Sequence, residues 1–430
     1  MELCIERRGC ICRGASKGHH LDGHVRSAGF RNLWHTALCP LGDRSPPMAG
    51  YDNDYLASSI FWQRDYYDTG CYWGIFGENL SRSQEKADLY FTGVEYYWGE
   101  IYMKHGLVSV IIPTYNRADC LERLVKSVIN SDYERKEIIV VDNNSTDNTY
   151  EVMMGFKKKR WACEIKYIRA NANVNASGGR FLGGKYADGE YLLFLDDDNE
   201  MLPNTISELV KFSSKHRNAG LIAPFSLISD DLQYIQNIGV RIDLITSRCI
   251  SRNSSPVKIS KIDKRQRYYT NHAMNAFMVT RKVYLASGGW DPNIGIMFDE
   301  ADLGVRIKKA GYQGYFAPEA KVIHYGAKFE TENDELRAMG MGTKLRGFYF
   351  GRNRNLFMRR HAPFIGKIIY FLIFMHVFSG YYFMAALKNR RIDIAFSYLK
   401  GVVYGCFCPI EIRSKIDVKD LIINEYIRTE

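Results

Sequence analysis

No GxGxxG follows the first apolar run of this 430-residue chain, so the glycine fingerprint of a nicotinamide-dependent enzyme is missing. Ten cysteines are present, yet none forms a CxxC pair. Four of them, with four histidines, fall in residues 1–47, where their spacing fits no standard zinc finger. No repeat of solenoid period occurs. The net charge is +10, but the basic clusters at 157–160, 258–267, 352–360 and 388–391 are dispersed. No motif that reads RNA or DNA accompanies them, and nucleic acid is not an expected partner. The opening MELCIERRGC has no apolar h-region. The cysteines are therefore expected to be reduced and cytosolic.

What is present divides the chain into four parts. Residues 1–47 lack sustained periodicity and read as a disordered extension. Residues 48–105 are dense in aromatics, as in FWQRDYYDTGCYWGIFG, and read as an appendage or interaction surface. Residues 106–340 alternate apolar strands with helical stretches. VSVII (108–112), EIIVV (137–141), EIKYI (164–168) and YLLFL (191–195) are continuous apolar or β-branched runs, as expected of parallel strands covered on both faces. LERLVKSVIN reads as a helix. SGGRFLGGKYADG reads as a glycine-rich turn and a short helix. The alternation predicts an α/β fold with a mostly parallel sheet and helices on both faces. Ligands bind such sheets beyond the carboxyl ends of the strands. Residues 114–117, 142–144 and 196–198 all fall there.

Residues 341–430 form the fourth part, predicted to be helical and membrane-proximal. Within it, IIYFLIFMHVFSGYYFMAAL (368–387) carries no Lys, Arg, Asp or Glu and is close to the length of a bilayer span. Basic residues flank both ends. That pattern fits a peripheral helix in the interface or a re-entrant hairpin, with a single span or the buried helix of a soluble protein as the alternatives.

Three aspartates, Asp196, Asp197 and Asp198, end the fourth strand. Like charges this close repel, so the run reads either as a solvated acidic turn or as a site for a hard divalent cation. Four separated motifs decide between them. VSVIIPTYNR (108–117), IIVVDNNSTDNT (138–149), FLDDDNE (194–200) and FDEADLGVR (298–306) resemble, in order, those of glycosyltransferase family 2. These are inverting nucleotide-sugar transferases with the GT-A fold. More locally, NVNASGGRFLGG with LDDDNE, and RNRNLFMRRH (352–361), are similar to the rhamnosyl- and galactofuranosyltransferase branch.

The resemblance implies roles for particular residues. Pro113, Thr114, Tyr115, Arg117, Asp142, Asn144, Gly179, Arg180, Asp196 and Asp197 would bind the nucleotide-diphosphate sugar. Asp196, Asp198 and His324 would hold Mn²⁺ or Mg²⁺, which as a Lewis acid offsets charge on the departing diphosphate. Glu300 is the matched general base and Asp299 its neighbour, although the family usually has Asp where this chain has Glu300. Trp290 and Asp302 would meet the acceptor. Gly178 and Gly179 would let backbone approach the donor closely. The expected acceptor is a lipid-linked or cell-surface glycan, and the expected location is the cytoplasmic face of a membrane. The competing reading is a membrane-associated pseudoenzyme of the same fold that binds nucleotide sugar without catalysis.

Overall fold

The computed structural model describes residues 103–272, 275–326 and 334–410, with the backbone of Ile422–Asn424. The expectations for 1–47, and for nearly all of 48–105, lie outside the described residues. All the described residues belong to one compact unit, Glu95–Glu430.

Four strand–helix units come first: β1 (Lys104–Thr114), α1 (Ala118–Ile129), β2 (Lys136–Asp142), α2 (Thr149–Lys157), β3 (Glu164–Ala170), α3 (Asn175–Tyr186), β4 (Gly189–Leu195), β5 (Asn199–Met201) and α4 (Thr205–Lys215). Next come β6 (Ala219–Ile228), β7 (Asp231–Ile235), β8 (Val240–Ile242), β9 (Cys249–Ser251), β10 (Val257–Lys258), β11 (Tyr268–Thr270) and β12 (Ala276–Thr280). They are followed by α5 (Arg281–Ala286), α6 (Asp299–Lys309), β13 (Gln313–His324), α7 (Asp334–Ala338) and α8 (Lys344–His361). An apolar helix, α9, runs Phe364–Lys388 with a π-helical turn at Tyr370–Phe374. The last helix is α10 (Ile392–Phe407), and β14 (Ile422–Asn424) follows it.

The main sheet runs β10-β7-β6-β12-β4-β1-β2-β3-β14. β3, β2, β1 and β4 are mutually parallel, and β12 enters antiparallel between β4 and β6. This is the mostly parallel sheet that the apolar runs predict. All seven residues of β2 are buried, which explains why KEIIVVD shows no polar alternation. Alternate strand residues feed two cores. Val110, Ile112, Ile138 and Val140 pack against Leu121, Leu124, Val125 and Val128 of α1. Those α1 positions lie one helical turn apart on one face. Ile111, Ile139 and Val141 face the other way, toward Phe181 and Leu182 of α3.

Gly178, Gly179, Gly183 and Gly184 of SGGRFLGGKYADG lie inside α3 rather than in a turn, and Gly189 opens β4. A β-carbon at Gly183 would collide with Ile111, and one at Gly179 would come within 2.8 Å of Pro113. Glycine here lets α3 approach the sheet closely. Close packing offset the helix propensity that glycine forfeits.

Candidate active site

The carboxyl ends of the parallel strands deliver Thr114, Asp142 and the Asp196–Asp198 loop to one rim. The loop is not a free acidic turn. Asp197 is buried, with Oδ2 accepting from Thr114 Oγ1 at 2.8 Å and Oδ1 accepting from Arg117 Nη1 at 2.8 Å. The middle aspartate thus turns inward and ties β4 to β1. The side chain of Asp196 is 33% exposed and that of Asp198 8%. Asp196 therefore faces the rim more openly. Asp198 Oδ1 is a buried oxygen with no hydrogen-bond partner. His324 Nε2, at the end of β13, stands 3.5 Å from it. β13 brings the histidine there by pairing His324 with Asn199. The ring is half-buried, which lowers its basicity, but Asp198 more than offsets this and its pKa is raised.

One side chain joins this loop to the start of α6. Arg180, on α3, donates through Nη2 to Asp196 Oδ1 at 2.5 Å and through Nη1 to Asp299 Oδ2 at 2.7 Å. Glu300 Oε1 lies 3.0 Å from the same Nη1. Arg180 is buried, and its guanidinium carbon stands 4.9 Å from the centre of the Trp290 ring. The resemblance assigns Arg180 to a donor phosphate; in this structure it is instead engaged by three carboxylates. One cation cannot neutralise all of them. Burial, with the Glu300 charge, pushes Asp299 up to about 8 despite Arg180. Burial also pushes Asp196 up to about 6 despite Arg180, with Asp198 and Asp197 adding to the rise.

Several expected contacts sit elsewhere. Trp290 is buried, edge-on to Phe194 and tilted against Phe277. It therefore offers no ring face to an acceptor. Asp302 is also buried, held by Arg306 Nε at 2.8 Å, His361 Nε2 at 2.7 Å and Arg360 Nη1 at 3.3 Å. It ties α6 to α8 and is out of reach of an acceptor. Pro113 and Gly179 are buried against each other, so Gly179 serves helix packing rather than donor approach. Gly178, also buried in α3, faces its own Val174. Asp142 is buried, accepting from Ser145 N at 2.8 Å and Tyr167 Oη at 2.6 Å, and so shapes its own loop. Tyr115 is exposed at the rim, and Asn144, with φ 64°, presents its side chain near Arg169 and Asn171.

The sequence motifs assign no role to two residues near the acidic pair, although Asn353 lies within RNRNLFMRRH. His272 lies close enough to Asp299 and Arg180 to feel both charges, and burial lowers its pKa to about 4. Asn353, on α8, reaches the loop ahead of α6. A second acidic group, Glu137, Glu164 and Asp188, lies at the opposite, amino ends of the strands. Lys166 Nζ sits among them, 2.6 Å from Glu137 and 3.0 Å from Asp188. That group already has its cation.

Comparison with known proteins agrees with the motifs. Residues 109–285 match the family described as Glycosyl transferase family 2. GalNAc(5)-diNAcBac-PP-undecaprenol beta-1,3-glucosyltransferase of Campylobacter jejuni is 40% identical over 105 residues, which are 24% of this chain and 33% of that protein. UDP-Glc:alpha-D-GlcNAc-diphosphoundecaprenol beta-1,3-glucosyltransferase WfaP of Escherichia coli is 36% identical over 106 residues, 25% of this chain and 41% of that protein. The match thus spans a third to two-fifths of these relatives' length. Among solved structures, the mannosyltransferase PcManGT from Pyrobaculum calidifontis, in complex with GDP-Man and Mn²⁺, is 14% identical with a TM-score of 0.45, covering 69% of this chain and 86% of that one. The matched span holds the first three motifs and stops before the acidic pair; residues 109–285 of the chain thus form a domain that matches glycosyltransferase family 2.

Proposed function

We propose that the protein transfers a sugar, with inversion, from a nucleotide-diphosphate sugar to a hydroxyl of a lipid-linked glycan at a membrane surface. The observation that carries this is the meeting of two acidic groups on Arg180. The aspartates suited to the diphosphate and the carboxylates suited to the acceptor share one guanidinium at the strand-end rim of a family 2 domain.

The site's donors fit a divalent cation. Asp198 Oδ1 is a buried anionic oxygen without a hydrogen bond, an imidazole nitrogen stands beside it, and Asp196 is on the same loop. Carboxylate with imidazole suits Mn²⁺ better than Mg²⁺, which favours oxygen alone. When bound there, the ion would offset the charge that grows on the leaving diphosphate. Tyr115 and Asn144 are the rim groups available to the nucleotide.

Glu300 is the general base. Its side chain is 17% exposed, against 3% for Asp299. Asp299 is the more deeply buried of the two, and burial with the neighbouring Glu300 charge raises its pKa, which makes it the less available proton acceptor. Glu300 takes the proton of the acceptor hydroxyl as that oxygen attacks the anomeric carbon, and the bond to the diphosphate breaks on the opposite side.

The membrane reading rests on α9 and α10. Leu372 is 71% exposed and Phe407 82%, and Phe364, Val377, Met384, Phe396 and Val403 join them on the outer face. The inner face is bonded to α8: Tyr370 Oη donates to Asn355 Oδ1 at 2.8 Å, and Arg354 Nη2 donates to Tyr382 Oη at 3.3 Å. A helix held along its length by the catalytic unit fits the plane of the interface better than a path across the bilayer. From 364 to 410 the chain carries five Lys or Arg and one Asp, which suits an anionic lipid surface. The two glucosyltransferases named above have undecaprenol-linked acceptors in their names, which supports the choice of acceptor.

The test is a pair of isosteric changes. Glu300→Gln should lower turnover about 10²- to 10⁴-fold, the usual contribution of general-base catalysis. Affinity for the nucleotide sugar should hardly change. Asp299→Asn should be much milder. If Asp299→Asn abolishes turnover while Glu300→Gln stays active, Asp299 is the base. If neither matters, the acidic pair is only a helix-start turn.

A further inference from the structure

The backbone just before the acidic pair is strained. Met297 and Phe298 both have φ of 66°, and neither is a glycine, asparagine or aspartate, the residues that enter the left-handed region most readily. Such conformations persist only where the surroundings over-determine them. Phe298 is the N-cap of α6 and makes no side-chain cap hydrogen bond, so the local sequence does not hold the turn.

Two neighbouring helices do. From the sheet side, Ser177 N of α3 donates to Gly295 O at 2.9 Å, and Ser177 Oγ donates to Asp291 O at 2.5 Å. From the outer side, α8 supplies Arg352 Nη2 to Asn293 O at 2.7 Å. One residue later on α8, Asn353 Nδ2 donates to Ile294 O at 2.9 Å, Ile296 O at 2.7 Å and Met297 O at 3.0 Å. Its two hydrogens are thus shared among three carbonyls. Asn353 is buried, and its Oδ1 has no hydrogen-bond partner. All its hydrogen bonding goes to this loop. Gly295, at φ 74°, fits under the Tyr349 ring of the same helix, where a β-carbon would come within 2.9 Å.

We propose that Asn353 is a positioning residue: by gripping the carbonyls of Ile294, Ile296 and Met297, it fixes the left-handed turn that aims Glu300 at the acceptor. It touches no substrate. The inference rests on the reading of Glu300 as the base. It adds that the base's placement is set from α8, outside the span matched to the family.

Asn353→Asp keeps the shape but sets a carboxylate against three carbonyls, and Asn353→Ala simply removes the grip. Both should cut kcat about 10²-fold, the cost of a misplacement of about 1 Å. KM for the donor should stay unchanged. So should the Mn²⁺-dependent thermal shift with whichever of UDP, GDP or dTDP stabilises the wild type. Hydrogen exchange at amides 295–300 should accelerate while that of β1 and β2 does not. Adding Met297→Gly to Asn353→Ala should restore part of kcat, because glycine holds positive φ without the grip. A residue that merely supports the fold would not be rescued this way.

Wild-type kcat in either variant, or parallel loss of donor affinity, overturns the proposal. So does fast exchange at 295–300 in the wild-type protein, a measurement that needs no variant to fold. If the wild type transfers no sugar, the catalytic reading fails by itself, and the exchange data alone judge the grip.

Discussion

Arg180 and Asp299 are hydrogen-bonded at 2.7 Å in the interior, and through its other terminal nitrogen the same guanidinium holds Asp196. The pair links α3 to the first turn of α6, across 119 residues of sequence. A cation shared by carboxylates of two different loops keeps those loops in register with each other.

Removing that cation should be costly. Arg180→Met leaves Asp196, Asp299 and Glu300 facing one another with no positive charge among them. Breaking a buried ion pair from one side typically costs about 3–5 kcal/mol, and urea unfolding of the variant should show a loss of that order. Arg180→Lys keeps the charge but not the planar fork. It should recover part of the stability and little of the turnover, since one ammonium cannot span both loops. Full activity in Arg180→Lys would mean that the bridge does not set the site's geometry.

The sheet was legible in the sequence because its strands are buried on both faces. VSVII, EIIVV and YLLFL have few polar interruptions, and the aspartates follow the last of them directly. What escaped was set by tertiary contact. Gly179 and Gly183 look like turn residues until Pro113 and Ile111 are seen to press on them. Trp290 looks like a sugar platform until Phe194 and Phe277 close around it. Arg180 looks like a phosphate ligand because nothing local shows that Asp299 will come to it. Asn353 grips carbonyls 56 to 59 residues away, and no local pattern encodes such a pairing.

Asp198 makes the sharpest claim about the metal. Asp198→Ala removes a buried carboxylate whose Oδ1 lacks a hydrogen bond, so the fold should survive. Mn²⁺ should then no longer strengthen nucleoside diphosphate binding, and turnover should vanish. Calorimetry with and without Mn²⁺ reads this directly. Undiminished metal-dependent binding in the folded variant would place the ion elsewhere.

Asp302 yields a pH prediction. Despite its burial, Arg306, His361 and Arg360 hold its carboxyl well below the ordinary aspartate range. A depressed carboxylate contributes stability above its unfolded pKa, near 4, and loses it as pH falls through the folded value. Asp302→Asn should therefore be strongly destabilising at pH 7, by about 3–5 kcal/mol for a broken buried network. Its deficit in melting temperature relative to the wild type should shrink below pH 4. A deficit that stays constant from pH 7 to pH 3 would show that the charge on Asp302 is not what binds α6 to α8.

The membrane face can be tested on the helix that the sequence did not single out. A long apolar segment at 368–387 would account for membrane binding alone if it crossed the bilayer, and α10 would then matter little. The structure instead exposes Phe396 and Phe407 of α10 beside the outer face of α9, while Cys406 Sγ approaches Met375 Sδ to 3.7 Å across the hairpin. Burying a large apolar side chain contributes about 1.5–3 kcal/mol, so one glutamate in the middle of such a face should weaken binding at least tenfold. Phe407→Glu on α10 and Leu372→Glu on α9 should lower co-sedimentation with anionic vesicles to similar extents and leave donor binding intact, since both side chains point away from α8. Vesicles of neutral lipid should bind the wild type more weakly, because Lys367, Arg390 and Lys400 lose their counter-charge. If Leu372→Glu abolishes binding while Phe407→Glu has no effect, α9 meets the bilayer without α10. If the wild type forms dimers without lipid and both substitutions dissolve them, the face belongs to a second copy of the chain instead.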